Sequence, residues 1–239
     1  MAQSVVEYNG IEFNISYEIL NPTKRESIVF LHGWGSNKEL MKSSFSKILK
    51  EYKHIYIDLP GFGNSSCSVV MDSQKYLHVI ELFLSGLNIS YEIILGHSFG
   101  GKIATLLNPK KLILVASAGV LLPKPFSVKA KIFVSKVFNS LGLHVIKKLF
   151  LADDAKQLTP NMYETFKIVI SEDFKTQFQH RKNGALLLWG DKDSATPMKS
   201  ATLMSSYIKN SKLVVYSGDH YFFMKNVLEI EKEILEYVK

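Results

Sequence analysis

Five short apolar runs constrain this chain more than any other feature. Ser27–Leu31, His54–Ile57, Glu92–Leu95, Lys111–Ala116 and Ala185–Gly190 are apolar at nearly every position. A strand with one wet face alternates between apolar and polar residues. A run without that alternation belongs to a strand covered on both faces. Stretches of helical spacing separate the runs. Lys38–Lys50 is amphipathic, and Ser73–Leu87 carries Leu77, Ile80, Leu84 and Leu87 on one stripe. Met198–Tyr207 and Val227–Val238 read the same way. Strands that alternate with helices form a mostly parallel sheet with helices on both faces, the α/β class. Tyr8-Asn9-Gly10-Ile11 adds a hairpin at the start, because Asn-Gly tolerates the positive φ angles of a tight type I′ turn. With Lys212–Tyr216 at the end, the expected sheet has eight strands.

The rhythm breaks between residues 120 and 183. No convincing strand is found there, and Ser127–Leu141, Leu143–Phe150 and Asn161–Lys182 read as helices. The expected organisation is a core of residues 1–119 and 184–239 with a helical cap, 120–183, inserted after the sixth strand. A length of 239 residues suits one such domain, and 46% hydrophobic residues supply its interior. The net charge is +7, and most of it lies in the insert. Residues 120–183 hold ten lysines and one arginine against two glutamates and three aspartates.

Residues 95–102, L-G-H-S-F-G-G-K, fit two motifs at once. Gly96, Gly101 and Lys102 have the spacing of a phosphate-binding loop. Gly96, Ser98 and Gly100 have that of a nucleophile elbow. Both motifs join a strand to a helix. The phosphate loop needs a Ser or Thr hydroxyl after the lysine for magnesium, and Ile103 stands there. An elbow serine needs a base, an acid that orients the base, and an oxyanion hole. Candidates for each follow other strands: His32-Gly33-Trp34-Gly35, Asp58-Leu59-Pro60-Gly61-Phe62-Gly63-Asn64-Ser65, Trp189-Gly190-Asp191-Lys192-Asp193 and Gly218-Asp219-His220. All stand at the C-terminal ends of strands, where open α/β sheets build their sites.

With these five motifs in the order Ser, Asp, His, the whole chain resembles the α/β-hydrolase family with a helical cap. The resemblance implies Ser98 as nucleophile and His220 as general base and then general acid. It implies Asp193 as the orienting acid through the pattern W-G-x-x-D, with Asp191 as the competing carboxylate. The backbone N–H groups of Trp34 and Phe99 would form the oxyanion hole. His32 is expected to shape the oxyanion loop, His97 to pack or line the site, and the Asp58–Ser65 turn to be structural.

The nearest look-alikes are the esterase that cleaves pimeloyl-carrier-protein methyl ester and the meta-cleavage-product hydrolases, which split carbon–carbon bonds of ring-fission dienoates. The latter usually carry Asn before the serine, where this chain has His97. A serine carboxylesterase acting on a short or medium acyl ester is therefore the first expectation and the dienoate hydrolase the second. A non-catalytic protein that binds a partner through its cap comes third. Position makes Trp34, Phe99, Leu121, Leu122, Phe126, Phe133, Phe138, Met162, Tyr163 and Phe166 the expected substrate-pocket wall. The basic cap suits an acidic acyl carrier protein, or is simply a solvated lysine face. No metal-ligand spacing and no complete Rossmann fingerprint is found, so no metal or other cofactor is expected. No nucleic acid is expected as a partner, and no membrane either, because no apolar run is long enough to span a bilayer. Cys67 is the one cysteine, which fits a reducing, cytoplasmic setting.

Overall fold

The computed structural model describes residues 2–123 and 159–239. Eight strands form one sheet: β1 (Ala2–Tyr8), β2 (Ile11–Leu20), β3 (Ser27–Leu31), β4 (Lys53–Ile57), β5 (Ile93–His97), β6 (Lys111–Val115), β7 (Ala185–Gly190) and β8 (Lys212–Tyr216). Their order across the sheet is β1-β2-β4-β3-β5-β6-β7-β8. The hairpin β1–β2 and the pair β2–β4 are antiparallel, and every later pairing is parallel. Asn9 and Gly10, both at positive φ, make the two-residue turn between β1 and β2.

The central strands are buried along their full length, as their unbroken apolar runs require. Period-two alternation sends their side chains into two separate cores. Val29, Leu31, Ile55, Ile57, Leu112, Leu114, Leu187 and Trp189 join one core. It is closed by α2 (Ser73–Gly86), α3 (Phe99–Leu107) and α6 (Met198–Tyr207). Ile28, Phe30, Tyr56, Ile113, Val115, Leu186 and Leu188 join the other, closed by α1 (Lys38–Phe45) and α7 (Val227–Val238). This is the α/β-hydrolase architecture.

Two helices differ from their expected spans. The segment expected as Lys38–Lys50 stops being helical at Phe45. Leu49 turns to positive φ, and its N–H donates to Glu231 Oε1 of α7 at 2.8 Å. That long-range bond captures the segment that follows α1. The segment expected as one helix, Asn161–Lys182, is two: α4 (Pro160–Val169) and α5 (Lys175–His180). The break falls at Ser171–Phe174, where Phe174 N–H donates to Gly119 O at 2.8 Å. Helical periodicity cannot register such a tertiary tie. The expected cap helices Ser127–Leu141 and Leu143–Phe150 lie outside the described residues.

One buried ion pair organises the loops beside β3 and β4. Lys38 Nζ lies 2.7 Å from Asp58 Oδ2, and both side chains are essentially inaccessible. Asp58 also accepts from the backbone N–H groups of Lys38 and Asn64 at 2.7 and 3.0 Å. Gly63 sits at positive φ directly against this carboxylate, where a Cβ would collide with it. The Asp58–Ser65 turn is thus built around its own aspartate. Removing one partner leaves an uncompensated buried charge, so Asp58→Ala should lower unfolding free energy by about 3–5 kcal/mol in denaturant titration. A loss below about 1 kcal/mol would show the pair to be dispensable.

Candidate active site

The turn from β5 into α3 carries Ser98 at φ 50° and ψ −115°, a conformation that costs a non-glycine residue roughly 1–3 kcal/mol. Backbone bonds hold it there. Ser98 N–H donates to Val115 O, and Ser98 O accepts from Gly101 N–H and Ala118 N–H, all at 3.0 Å. The turn also demands absent side chains. A Cβ on Gly96 would meet the backbone of Gly100, and one on Gly100 would meet Leu31 and His32 carbonyls. The serine therefore stands at the tip of a tight strand-to-helix corner.

His220 follows β8 in the loop before the short 3₁₀ turn Phe222–Met224. Its Nδ1–H donates to Asp193 Oδ2 at 2.8 Å. A neutral ring with the proton on Nδ1 carries its lone pair on Nε2. Asp193 is 5% exposed and receives three further hydrogen bonds. Ala195 N–H and Thr196 N–H reach Oδ1 at 2.8 and 2.9 Å, and the Thr196 hydroxyl reaches Oδ2 at 2.8 Å. Burial alone would raise the pKa of this carboxyl. The hydrogen bonds from His220 and Thr196 outweigh it and hold the pKa below the ordinary value. Asp191 is engaged elsewhere, accepting from Gly218 N–H at 2.8 Å.

Two more histidines frame the site. His32 is fully buried, donates from Nδ1 to Gly33 O at 2.7 Å, and accepts from Leu59 N–H on Nε2 at 3.0 Å. Burial brings its pKa down to about 4, so it stays neutral. Both bonds fix the turn 33–36, closed by Ser36 N–H donating to Gly33 O at 3.2 Å. Gly33 is so close to Ser98 that a Cβ there would stand 3.0 Å from the serine Cβ. The Gly33–Trp34 backbone accordingly lies beside Ser98. Phe99 is the first residue of α3, whose leading N–H groups have no partner within the helix. His97 Nε2–H donates to His220 O at 3.2 Å, and its ring lies 4.7 Å from the His220 ring. Burial, with His220 adding to it, lowers the His97 pKa to about 3.

Ser98 and His220 open into one cleft of about 810 Å³. Of the expected wall, Trp34, Phe99, Leu121, Leu122 and Phe166 line this cleft. Met162 and Tyr163 do not line it. Met162 is buried with its sulfur packed onto Gly61, and the Tyr163 ring carries the Lys167 ammonium at 5.1 Å. Phe126, Phe133 and Phe138 lie outside the described residues. Sequence reasoning missed the wall formed by Val169 and Ile170, the buried Lys102 with Glu172, and Thr196. The signal for Thr196 was its place three residues after Asp193, where a hydroxyl folds back onto a carboxylate. Among the described residues no group of three His, Cys, Asp or Glu side chains is placed to hold a metal. No described helix is long and apolar enough to cross a membrane.

Residues 28–227 match the model of the Alpha/beta hydrolase family. The chain belongs to that family. Among relatives of this hydrolase, "Putative esterase/lipase 2" of Mycoplasma pneumoniae is 26% identical, over 90% of this chain and 91% of its own. The pimeloyl-[acyl-carrier protein] methyl ester esterase of Wigglesworthia glossinidia brevipalpis is 24% identical, over 89% and 93%. Among solved structures, an esterase from Exiguobacterium antarcticum superimposes with a TM-score of 0.72 at 23% identity, over 95% and 96% of the two chains.

Thr196→Val removes one donor from Asp193 and should raise its native pKa. A carboxyl whose folded pKa is depressed stabilises the fold above its unfolded value of about 4, and that contribution fades as pH falls through the folded value. Acid unfolding of Thr196→Val should begin at higher pH than in the wild type. Circular dichroism across an acid titration reads the shift, and coincident curves would contradict it.

Proposed function

We propose that this hydrolase is a serine carboxylesterase acting on short or medium acyl esters. One observation carries the reading: an Nδ1-anchored His220, held by buried Asp193, shares a cleft with a serine on a strained corner. In this scheme His220 Nε2 removes the Ser98 proton as Oγ attacks the ester carbonyl. The tetrahedral oxyanion is met by the N–H groups of Trp34 and Phe99. Collapse releases the alcohol, which takes its proton from His220, and leaves an acyl-enzyme on Ser98. Water activated at His220 then releases the acid. Asp193 keeps the ring in the Nδ1–H tautomer and stabilises the imidazolium that forms. His97 suits a supporting place, because its buried ring resists protonation and cannot divert the proton.

The esterase names of the relatives support the reaction class, and the mostly apolar cleft wall supports an acyl substrate. The lysine-rich stretch 120–183 and the carrier-protein esterase among the relatives support an acidic acyl carrier protein as the substrate's bearer. Such docking would weaken with salt. A cytoplasmic setting stays part of this reading, resting on the single cysteine.

Hydrolysis of p-nitrophenyl esters from acetate to decanoate tests it. Ser98→Ala should cost several orders of magnitude in kcat/KM, and Asp193→Asn about 10⁴. Asp191→Asn should stay within a few-fold of wild type. Full activity of Ser98→Ala, or no turnover of any ester by the wild type, would overturn the proposal. A ring-fission dienoate in the same assay would then test carbon–carbon bond hydrolysis.

A further inference from the structure

Lys102 is left unexplained by the chemistry above. It stands on α3, one turn after Ser98, lines the cleft, and is 2% exposed. Its Nζ donates to Val169 O, to Glu172 O at 3.1 Å and toward Glu172 Oε2 at 3.5 Å. The ammonium also lies 4.7 Å from the Phe174 ring centroid. Glu172 reaches a third element. Its Oε1 accepts from Ser73 N–H at 3.0 Å and its Oε2 from the Ser73 hydroxyl, at the first residue of α2. One buried cation and one carboxylate thus pin the α4–α5 break to α2 and to the helix that carries the nucleophile.

The pinned segment is also cleft wall. Phe166, Val169 and Ile170 line the cleft together with Val120, Leu121 and Leu122. The carbonyl that Lys102 holds belongs to Val169 itself, so the clamp fixes where this wall stands relative to Ser98. Burial pulls the lysine pKa below its ordinary value while Glu172 works against that shift. With both partners in place the ion pair presents little net charge to the cleft.

We infer that Lys102, acting through Glu172 and the Val169 carbonyl, is a positioning residue that sets the acyl-chain selectivity of the cleft. The inference rests on the esterase reading for its substrate. Releasing the clamp loosens the wall that a longer acyl chain packs against and leaves the reacting groups in place. An octanoyl chain has far more apolar surface to pack on such a wall than an acetyl group has.

The test compares wild type, Lys102→Met and Glu172→Gln by kcat and KM on p-nitrophenyl acetate, butyrate and octanoate. Amide hydrogen exchange over residues 166–174 is followed alongside. In both variants acetate kcat/KM should move less than octanoate kcat/KM. The octanoate-to-acetate ratio of kcat/KM should change by about tenfold, mostly through KM, and amides of the segment should exchange faster. If Lys102→Met fails to fold, Glu172→Gln decides by the same two readouts, since it keeps volume and an oxygen for Ser73. Chain-length profiles parallel to wild type would overturn the inference, and so would unchanged exchange. Should the wild type cleave no ester, the esterase reading falls and the selectivity inference with it. The exchange data would still report whether the clamp itself holds the segment.

Discussion

Backbone meets backbone where α3 leaves β5, and the rest of the site depends on that contact. Gly96 and Gly100 let the first turn of the helix lie against β3, β5 and their carbonyls without a side chain between them. That closeness is what allows Ser98 its positive φ. Its amide is spent on Val115 O and its carbonyl on Gly101 and Ala118, so the strained residue leaves no buried backbone group unpaired. The same approach brings the Gly33–Trp34 turn alongside the serine. Two strands and a helix start must therefore be in register before any chemistry is possible. The sheet supplies this register through the β3–β5 and β5–β6 ladders.

The polar groups that hold Asp193, His32 and Asp58 are satisfied in layers that run outward from the cleft. Asp193 is saturated by His220, Ala195 and Thr196, and Trp189 Nε1–H in turn donates to Thr196 O at 2.6 Å. His32 ties the loop after β3 to the loop after β4, and Lys38–Asp58 ties the start of α1 to the same place. Each tie joins segments far apart in sequence. Each also stands at the C-terminal end of a strand, where successive parallel strands deliver their loops to one edge. These loops share one edge because β3 to β8 pair in parallel.

The sheet was legible because parallel strands covered on both faces cannot hide: residues 28–31 and 185–190 carry no polar side chain. Ser98, Asp193 and His220 were singled out through the family resemblance, and the structure brings His220 onto Asp193 and opens Ser98 and His220 into one cleft. What escaped was long-range. The capture of Leu49 by Glu231 shortens α1, and the tie of Phe174 to Gly119 splits the helix expected over Asn161–Lys182. Neither leaves a periodic mark. Met162 had the composition of a pocket residue, yet its sulfur packs onto Gly61, whose positive φ and missing side chain make room for it. Distinguishing a core methionine from a pocket methionine requires knowing what lies across from it, and sequence spacing carries no such information.

Lys102 illustrates the same limit from the other side. In sequence it completes a phosphate loop, because both motifs place glycines where a strand turns sharply into a helix. The chemistry diverges only in what the lysine faces. A phosphate-loop lysine reaches past the helix start to an anion. Here Nζ instead points to the carbonyls of Val169 and Glu172 and to the Glu172 carboxylate. A cation already committed to those acceptors has little left to offer a phosphate. Its charge is balanced inside the protein, and its geometric effect falls on a wall of the cleft. The residue that made the stretch ambiguous as a string is thereby committed to the Val169–Glu172 segment of the cleft wall.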